Sequence, residues 1–358
     1  MTNLTTTHDA NPGVWQSWCR FWFAPRDPIA LHAVRLLVGL WILISFIPYA
    51  GYTESFFSLR GWFDAQAYLD AARFTEGTPH PITWSLFYLL GNHPEWTPYL
   101  YWFFMGATCL FTLGFWTRLT SVITWLGVVS MTASPAAVVE ADSLLLMMTF
   151  YLMLGYLGLQ QSQDRISWFN RIFGSTPRWW SNLLQRPLGP EPESHAAQLA
   201  LRLVQVHFAL IMVISGLHKL QFGDWWAGLA LWFPLHPTFE TSLEQARAHA
   251  DDAVRYLSLL SLCAYAVLIW QIVFPLFAWR KPGWWAVMIG VSLGWLGASL
   301  GYQLFMFGPL MFTAGLCYMP ESYWRRLRFG VDADLPSSSL HTAATTIKNT
   351  KEKSPAAV

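Results

Sequence analysis

Apolar runs long enough to cross a lipid bilayer recur along this chain, and they restrict its fold more than any other feature. The most informative run begins at Leu199 and stays mostly apolar for about 18 residues, the length that a helix needs to cross the hydrocarbon core. Hydrophobic residues make up 54% of the 358 residues and charged residues only 12%, whereas soluble domains have about 25% charged residues. The sequence therefore predicts an all-α, polytopic helical membrane protein.

The apolar runs predict about eight membrane-spanning helices with a polar segment at each end of the chain. Residues 1–24 form a polar and interfacial segment whose tryptophans recur at helical spacing. Residues 25–320 form the transmembrane domain, and residues 321–358 form a cytosolic, largely disordered tail rich in Ser, Thr and Lys. A short apolar piece at 82–91 is predicted to be re-entrant or interfacial. The expected spans are 29–50, 97–116, 119–135, 143–160, the run from Leu199, 254–278, and two antiparallel helices within 284–319.

The distribution of Lys and Arg predicts how these helices are oriented. With the N-terminus in the cytosol and eight crossings, 15 of the 22 basic residues fall on the inner side, five on the outer side and two within spans. Cytoplasmic loops of membrane proteins carry such an excess of positive charge. We therefore expect both termini in the cytosol of a bacterial-type cell, a location in the plasma (inner) membrane, and any chemistry at the extracytoplasmic face.

The run from Leu199 ends in a cluster of ionisable and aromatic residues that a lipid-buried helix would not contain. His218 and Lys219 come first, and Asp224, Trp225 and Trp226 follow a glycine-containing turn. A low-dielectric surrounding disfavours the ammonium form of lysine, so Lys219 is the candidate base of the cluster. The alternative is that Lys219 only anchors the helix end at the membrane surface.

Other polar residues within the predicted spans have a structural explanation. Arg35 lies a few residues inside the first span and is expected to extend to the near interface, the alternative being an ion pair or an anion ligand. His207, Gln205 and Gln271 are expected to hydrogen-bond between helices. His93, beside a proline in a loop, is expected to be a surface residue. No HExxH or similar spacing supports a metal site, and the four single cysteines are typical of packing residues.

Three stretches of the chain resemble a known membrane family. ISGLHKLQFGDWWAGLAL (214–231) resembles the signature helix of the vitamin K-dependent gamma-carboxylase family, whose membrane part is also called the HTTM (horizontally transferred transmembrane) domain. AVRLLVGLWIL (33–43) and EADSLLLMMTFYL (140–152) are similar to other parts of that domain. The resemblance covers most of 25–320, and the fifth-span motif is its specific part.

The resemblance implies a chemistry for the fifth-span motif. In the carboxylase, the lysine of this motif is understood to deprotonate a reduced quinone, whose oxygenation yields a strong base that removes a glutamate γ-proton before CO2 adds. Carried over, Lys219 would be the quinol-activating base with His218 beside it, and Asp142 lies near the place of a functional histidine. The cofactor would be a vitamin K-type hydroquinone. The residues implied for its wall are Asp224, Trp225 and Trp226.

The chain also departs from the carboxylase in ways that bear on its function. Gln271 stands where many relatives have a glutamate before the proline of the sixth span, and 254–320 contains no histidine. We also expect the chain to lack the large extracytoplasmic domain that recognises protein substrates in the carboxylase. The smaller sporulation-delaying protein B group, which shares the membrane domain and serves in maturing a secreted peptide toxin, is therefore the better comparison.

Two kinds of function follow from the sequence. The first is a quinol-dependent, gamma-glutamyl carboxylase-like enzyme, a lyase and quinol epoxidase, with its site at the extracytoplasmic face. The second is a non-catalytic membrane partner or maturation factor for a secreted peptide. The expected partners are membrane lipid and a secreted peptide or protein, and no basic stripe with interleaved aromatics indicates nucleic acid. A transporter is disfavoured because transport places charges or broken helices at mid-membrane.

Overall fold

A computed structural model of the chain describes residues 13–62, 84–90, 93–137, 140, 142–159, 193–232, 250–280, 283–305 and 307–324. Within these ranges every regular element is a helix, as the apolar runs predict. Three short 3-10 helices cover Ile47–Tyr49, Tyr88–Leu90 and Pro94–Trp96. The α-helices are α1 (Val14–Phe23), α2 (Ile29–Phe46), α3 (Thr53–Phe57), α4 (Thr97–Leu113), α5 (Thr117–Thr132), α6 (Asp142–Gly158), α7 (His195–Lys219), α8 (Gly223–Trp226), α9 (Ala250–Phe277), α10 (Gly283–Tyr302) and α11 (Phe307–Leu316).

Each predicted span corresponds to an apolar helix, but not every helix is long enough to span. Among the described residues, four helical segments are long and apolar enough to cross a membrane, by length and composition. The shorter helices α4, α5 and α6 have 17, 16 and 17 residues, and α11 has 10. The fold is thus all-helical and compatible with an integral membrane protein, and eight crossings stay a prediction. The four candidate spans are Ile29–Tyr49, His195–Lys219, Arg255–Phe277 and Gly283–Leu300.

The helix α2 lies at the centre of the packing and has one buried and one exposed face. Val34, Val38 and Ile42 recur every four residues and are fully buried, as expected for one face of a helix. The helix α2 contacts α4, α6, α7 and α11. On the opposite side, Leu36 and Leu40 are exposed. Large apolar side chains that face outward in this way are compatible with a lipid surrounding.

Small residues bring α6 and α7 together in antiparallel orientation. Gly155 lies against Ala200, and Gly158 lies against Ala196. Small residues four or so positions apart permit this close approach between helices in a membrane. The residue numbers run in opposite directions along the two helices. Asp142, at the start of α6, therefore lies at the same end of the pair as Lys219, the last residue of α7. The predicted two-helix arrangement of 284–319 is also confirmed, since α10 and α11 are antiparallel neighbours.

The helix α1 matches the predicted N-terminal helix and docks on the first turns of α7. The carbonyl oxygen of Phe21 accepts hydrogen bonds from Gln198 Nε2 at 3.1 Å and from Arg202 Nε at 3.2 Å. The Arg202 guanidinium also stacks on the Phe21 ring, 4.3 Å from its centroid. Trp15 and Trp18 remain exposed on α1, as a surface-lying helix would require.

The chain divides into two units, Met1–Tyr318 and Met319–Val358, and most of the predicted disordered tail 321–358 lies outside the described residues. All of the helices above belong to the first unit, and residues 319–324 are the described part of the second. The four cysteines are free. In the short apolar piece, the described residues 84–90 form a turn and a 3-10 helix, with Ser85 and Phe87 buried. Most of residues 161–197 and 236–253, which connect predicted spans, lies outside the described residues.

Candidate functional site

The predicted ionisable cluster lies where α7 ends and the chain folds back onto α9. After Lys219 the backbone turns through Leu220–Phe222 into the single turn of α8. Gly228 follows with a φ of 72°, in the left-handed region that glycine tolerates. Ser261 of α9 donates a hydrogen bond to the Gly228 carbonyl at 2.9 Å. A Cβ on residue 228 would lie 2.6 Å from that Ser261 oxygen, so the contact requires glycine.

The amine of Lys219 is held by two neutral oxygens. Its Nζ donates to Ser215 Oγ at 2.7 Å and to Gln271 Oε1 at 3.0 Å. Ser215 lies four residues earlier on α7, and this spacing puts two helix side chains on the same face. Gln271 belongs to α9, so its contact joins two candidate spans. No carboxylate pairs with Lys219 in the part of the chain that the structure describes.

Glycine at position 216 makes this contact between α7 and α9 possible. A Cβ there would lie 2.9 Å from Ile272 Cγ1 and 3.2 Å from Gln271 Cβ. The two helices therefore approach more closely than they could with any larger residue at this position. Pro275 lies four residues after Gln271 and has no N–H to donate to the Gln271 carbonyl. The polar contact thus coincides with a local gap in the hydrogen bonding of α9.

The amine of Lys219 is bonded within the length of α9 and not beyond its end. Gln271 lies six residues before Phe277 and 16 residues after Arg255, the two ends of that candidate span, which corresponds to about 9 Å and about 24 Å along a helix. The sequence predicted Lys219 only as the tip of the fifth span. The side chain, however, reaches back along α7 to the level of Ser215.

The two tryptophans of the motif have different positions. The ring centroid of Trp225 lies 5.3 Å from Lys219 Nζ, close enough for a cation–π contact. Trp226 is 63% exposed, and its indole N–H donates to the Leu220 carbonyl at 2.7 Å. The Tyr265 hydroxyl donates to the Trp226 carbonyl at 2.6 Å and ties α8 to α9. Of the predicted wall residues, Trp225 therefore lies beside the amine, whereas Asp224 is exposed at the start of α8.

The structure does not bring His218 or Asp142 to the amine of Lys219. His218 is exposed, and its ring packs edge-on against Phe222 at 5.1 Å. Asp142 is exposed, and its Oδ1 accepts a hydrogen bond from the Ser143 N–H. The neighbouring Glu140 accepts from the N–H of Phe307, the first residue of α11, at 2.9 Å. Both acidic residues thus lie at the Lys219 end of the bundle without contacting the lysine.

Polar residues that were expected to hydrogen-bond between helices do so. Tyr151 of α6 contacts His207 Nδ1 of α7 at 2.9 Å. Gln205 Nε2 donates to the Cys317 carbonyl at 2.6 Å, and its Oε1 accepts from Trp279 Nε1 at 3.1 Å. The expectation for Gln271 is met by its contact with Lys219. The i to i+4 spacing could have identified Ser215 as a partner of Lys219 from the sequence alone. Nothing in the sequence indicates that Gln271 is the second partner of Lys219, on another helix.

Two further predictions for charged residues have clear outcomes. The expectation that Arg35 extends to the interface is wrong, because this side chain is 2% exposed between α2, α4 and α6. His93 is a surface residue as expected, and its Nδ1 lies 2.9 Å from Glu95 Oε1. The backbone N–H of Glu95 and, second, His93 lower the pKa of the Glu95 carboxyl. Among the described residues no group of three or more His, Cys, Asp or Glu side chains is placed to hold a metal ion.

Comparison with known proteins finds no family model, no curated protein and no solved structure that matches this chain. The resemblance of 214–231 to the carboxylase motif therefore rests on the residues of that motif alone.

Proposed function

We propose that this protein is an integral membrane enzyme of the gamma-carboxylase-like type, in which Lys219 accepts a proton from a reduced quinone. The observation that supports this proposal is the position of the Lys219 amine between Ser215 Oγ and Gln271 Oε1. Both partners are neutral, so the amine can exchange a proton with a ligand without first breaking an ion pair. General bases work in such positions when the surrounding structure fixes their orientation.

The side chains around Lys219 fit a flat, apolar ligand that carries a hydroxyl group. Trp225 presents an aromatic ring beside the amine, and Phe222 and Trp226 are aromatic and exposed at the same end of α7. When bound, a reduced quinone would supply an acidic aromatic hydroxyl and the reducing equivalents for a reaction with oxygen. Ser215 and Gln271 orient the amine, and Trp225 covers one of its sides. Because the Trp226 N–H already donates to Leu220, only the ring of Trp226 can contact a ligand.

The other predicted site residues have secondary roles in this proposal. His218 is exposed and its ring packs against Phe222 instead of the Lys219 amine, so we give it no step in the proton transfer. Asp142 and Asp224 place negative charge at the same end of the bundle, where a substrate peptide would approach. The distribution of Lys and Arg supports a location in the plasma membrane of a bacterial-type cell, with the Lys219 end of α7 on the extracytoplasmic side.

The proposal is tested by quinol binding and oxidation with purified protein in nanodiscs. We expect Lys219→Ala to reduce oxidation by about 100-fold or more, the usual contribution of a general base, and to leave membrane insertion intact. His218→Ala is the neighbouring control and should reduce oxidation far less. Normal oxidation by Lys219→Ala would overturn the proposal.

The second candidate function is a non-catalytic membrane partner for a secreted peptide. The observation in its favour is the exposed aromatic surface of Phe222 and Trp226, which are 50% and 63% exposed. Lys219 would then be an anchor, and Lys219→Arg would leave maturation of the peptide unchanged. Absence of both quinol binding and oxidation in the wild type would favour this function.

A further inference from the structure

The most unusual charged residue outside the Lys219 site is Arg35 on α2. Its side chain is 2% exposed, and its Nε is buried without a hydrogen-bond partner. The guanidinium lies over the ring of Tyr156, with Cζ 5.6 Å from the ring centroid. On another side its Nη atoms face Gly114, where a Cβ would lie 2.9 Å from each of them. Burying an arginine this completely costs folding free energy unless a partner compensates its charge.

The described part of the chain supplies only part of that compensation. The last turn of α4 ends at Gly114 beside the guanidinium, and a helix C-terminus carries roughly half a negative charge. No carboxylate of the described residues pairs with Arg35, and its Nε donates to no oxygen. Guanidinium groups bind carboxylates and phosphates through two parallel N–H donors, and Nε belongs to one such pair. An anion beside this edge would complete the compensation.

We propose that Arg35 is the cationic centre of a buried site for a phosphate group. A membrane surrounding would bring phospholipid headgroups near this helix, so a lipid phosphate is one source and inorganic phosphate is the other. Nearby, His32 lies one turn before Arg35, and its Nδ1 contacts the Tyr156 hydroxyl at 2.6 Å, which adds polar groups at this level.

This site is separate from the proposed quinol site. Tyr156 lies near the end of α6, whereas Asp142, at the start of α6, is at the Lys219 end of the bundle. The phosphate site therefore does not depend on the proposed function, and its test does not require enzymatic activity.

The test uses purified, delipidated full-length protein in an uncharged detergent. Phosphatidylglycerol, diacylglycerol and inorganic phosphate are added separately, the last against chloride at equal ionic strength. Thermal unfolding and native mass spectrometry report binding. We expect phosphatidylglycerol, and not diacylglycerol, to raise the melting temperature of the wild type and to appear as a bound lipid. A rise with inorganic phosphate as well would support the same site and identify free phosphate as a second source.

The variants decide whether Arg35 is responsible. Arg35→Met should lose the bound phosphate group, and Arg35→Lys should bind it more weakly because lysine cannot donate the paired bonds. Arg118→Met is the matched control, since Arg118 is exposed and donates to the Leu159 carbonyl at 2.6 Å. If Arg35→Met does not fold, the comparison rests on Arg35→Lys. A wild type that responds to neither phosphate source, or an unchanged response in the Arg35 variants, would overturn the proposal.

Discussion

Lys219 and Gln271 meet across the face between α7 and α9, with 3.0 Å between Nζ and Oε1, although 52 positions separate them in the chain. The contact links the last residue of one candidate span to the interior of another. It therefore couples the position of the candidate base to the packing of two helices.

Removing the acceptor should reveal this coupling. Gln271→Leu takes away one of the two oxygens that hold the Lys219 amine. We expect the free energy of unfolding to fall by about 0.5–1.5 kcal/mol, because a half-buried amine loses one of its two hydrogen bonds. In the double variant Lys219→Met/Gln271→Leu most of that loss should be recovered, since both polar groups are replaced together. Denaturant unfolding in mixed micelles measures the cycle, and strictly additive effects would contradict the coupling.

The close approach of α7 and α9 should depend on Gly216. Gly216→Ala places a Cβ 2.9 Å from Ile272 Cγ1, and overpacking of this kind costs about 1–3 kcal/mol. If Lys219 is the base, quinol oxidation should fall along with the melting temperature. The matched control is Gly223→Ala, because a Cβ there meets nothing within 4 Å. Equal stabilities of these two variants would show that the approach of the helices does not require glycine.

The turn between α4 and α5 should be sensitive to substitution at Gly114. This residue has a φ of 92° and faces the Arg35 guanidinium. We expect Gly114→Ala to lower the free energy of unfolding by at least about 1–2 kcal/mol, the cost of the left-handed conformation for a residue with a Cβ. Gly106→Ala, within α4 and open to its surroundings, should instead be stabilising by up to about 1 kcal/mol. Thermal unfolding of both variants distinguishes these outcomes.

The exposed pair of His93 and Glu95 should have a small effect on stability at acid pH. Since the folded protein lowers the pKa of Glu95, ionised Glu95 favours folding above its unfolded pKa. This contribution is lost as the pH falls through the lower folded pKa. In Glu95→Gln the acid limb of the stability curve should therefore be flatter than in the wild type. His93→Ala should raise the Glu95 pKa only part of the way, because the backbone hydrogen bond remains; a fully restored pKa by carboxyl NMR would contradict this.

Most of the helices could be predicted from the sequence, because their signal is local. Apolar runs and prolines mark where α2, α4, α5 and α6 begin and end to within a few residues. The number of membrane spans is harder to predict than the helices themselves, because α4, α5 and α6 have 16 or 17 residues and lie just below the length of the candidate spans. A run such as that of α11 is apolar throughout but forms a helix of only 10 residues, since the chain reverses direction between α10 and α11.

The side-chain arrangement at the candidate site was less predictable. Sequence proximity suggested that His218, Asp224 and Trp226 would gather around Lys219. Consecutive helix residues point about 100° apart, so His218 faces Phe222 while Lys219 faces α9.

The sequence by itself determined the helical membrane-type fold, the position of the apolar helices and the location of an amine at the end of α7. These follow from hydrophobicity and spacing within short windows of the chain. Only the tertiary structure decided that Gln271 holds that amine and that Arg35 is buried beside Tyr156 and Gly114. Both outcomes depend on which helices pack together and how closely, and small residues such as Gly216 control that approach through contacts between distant parts of the chain.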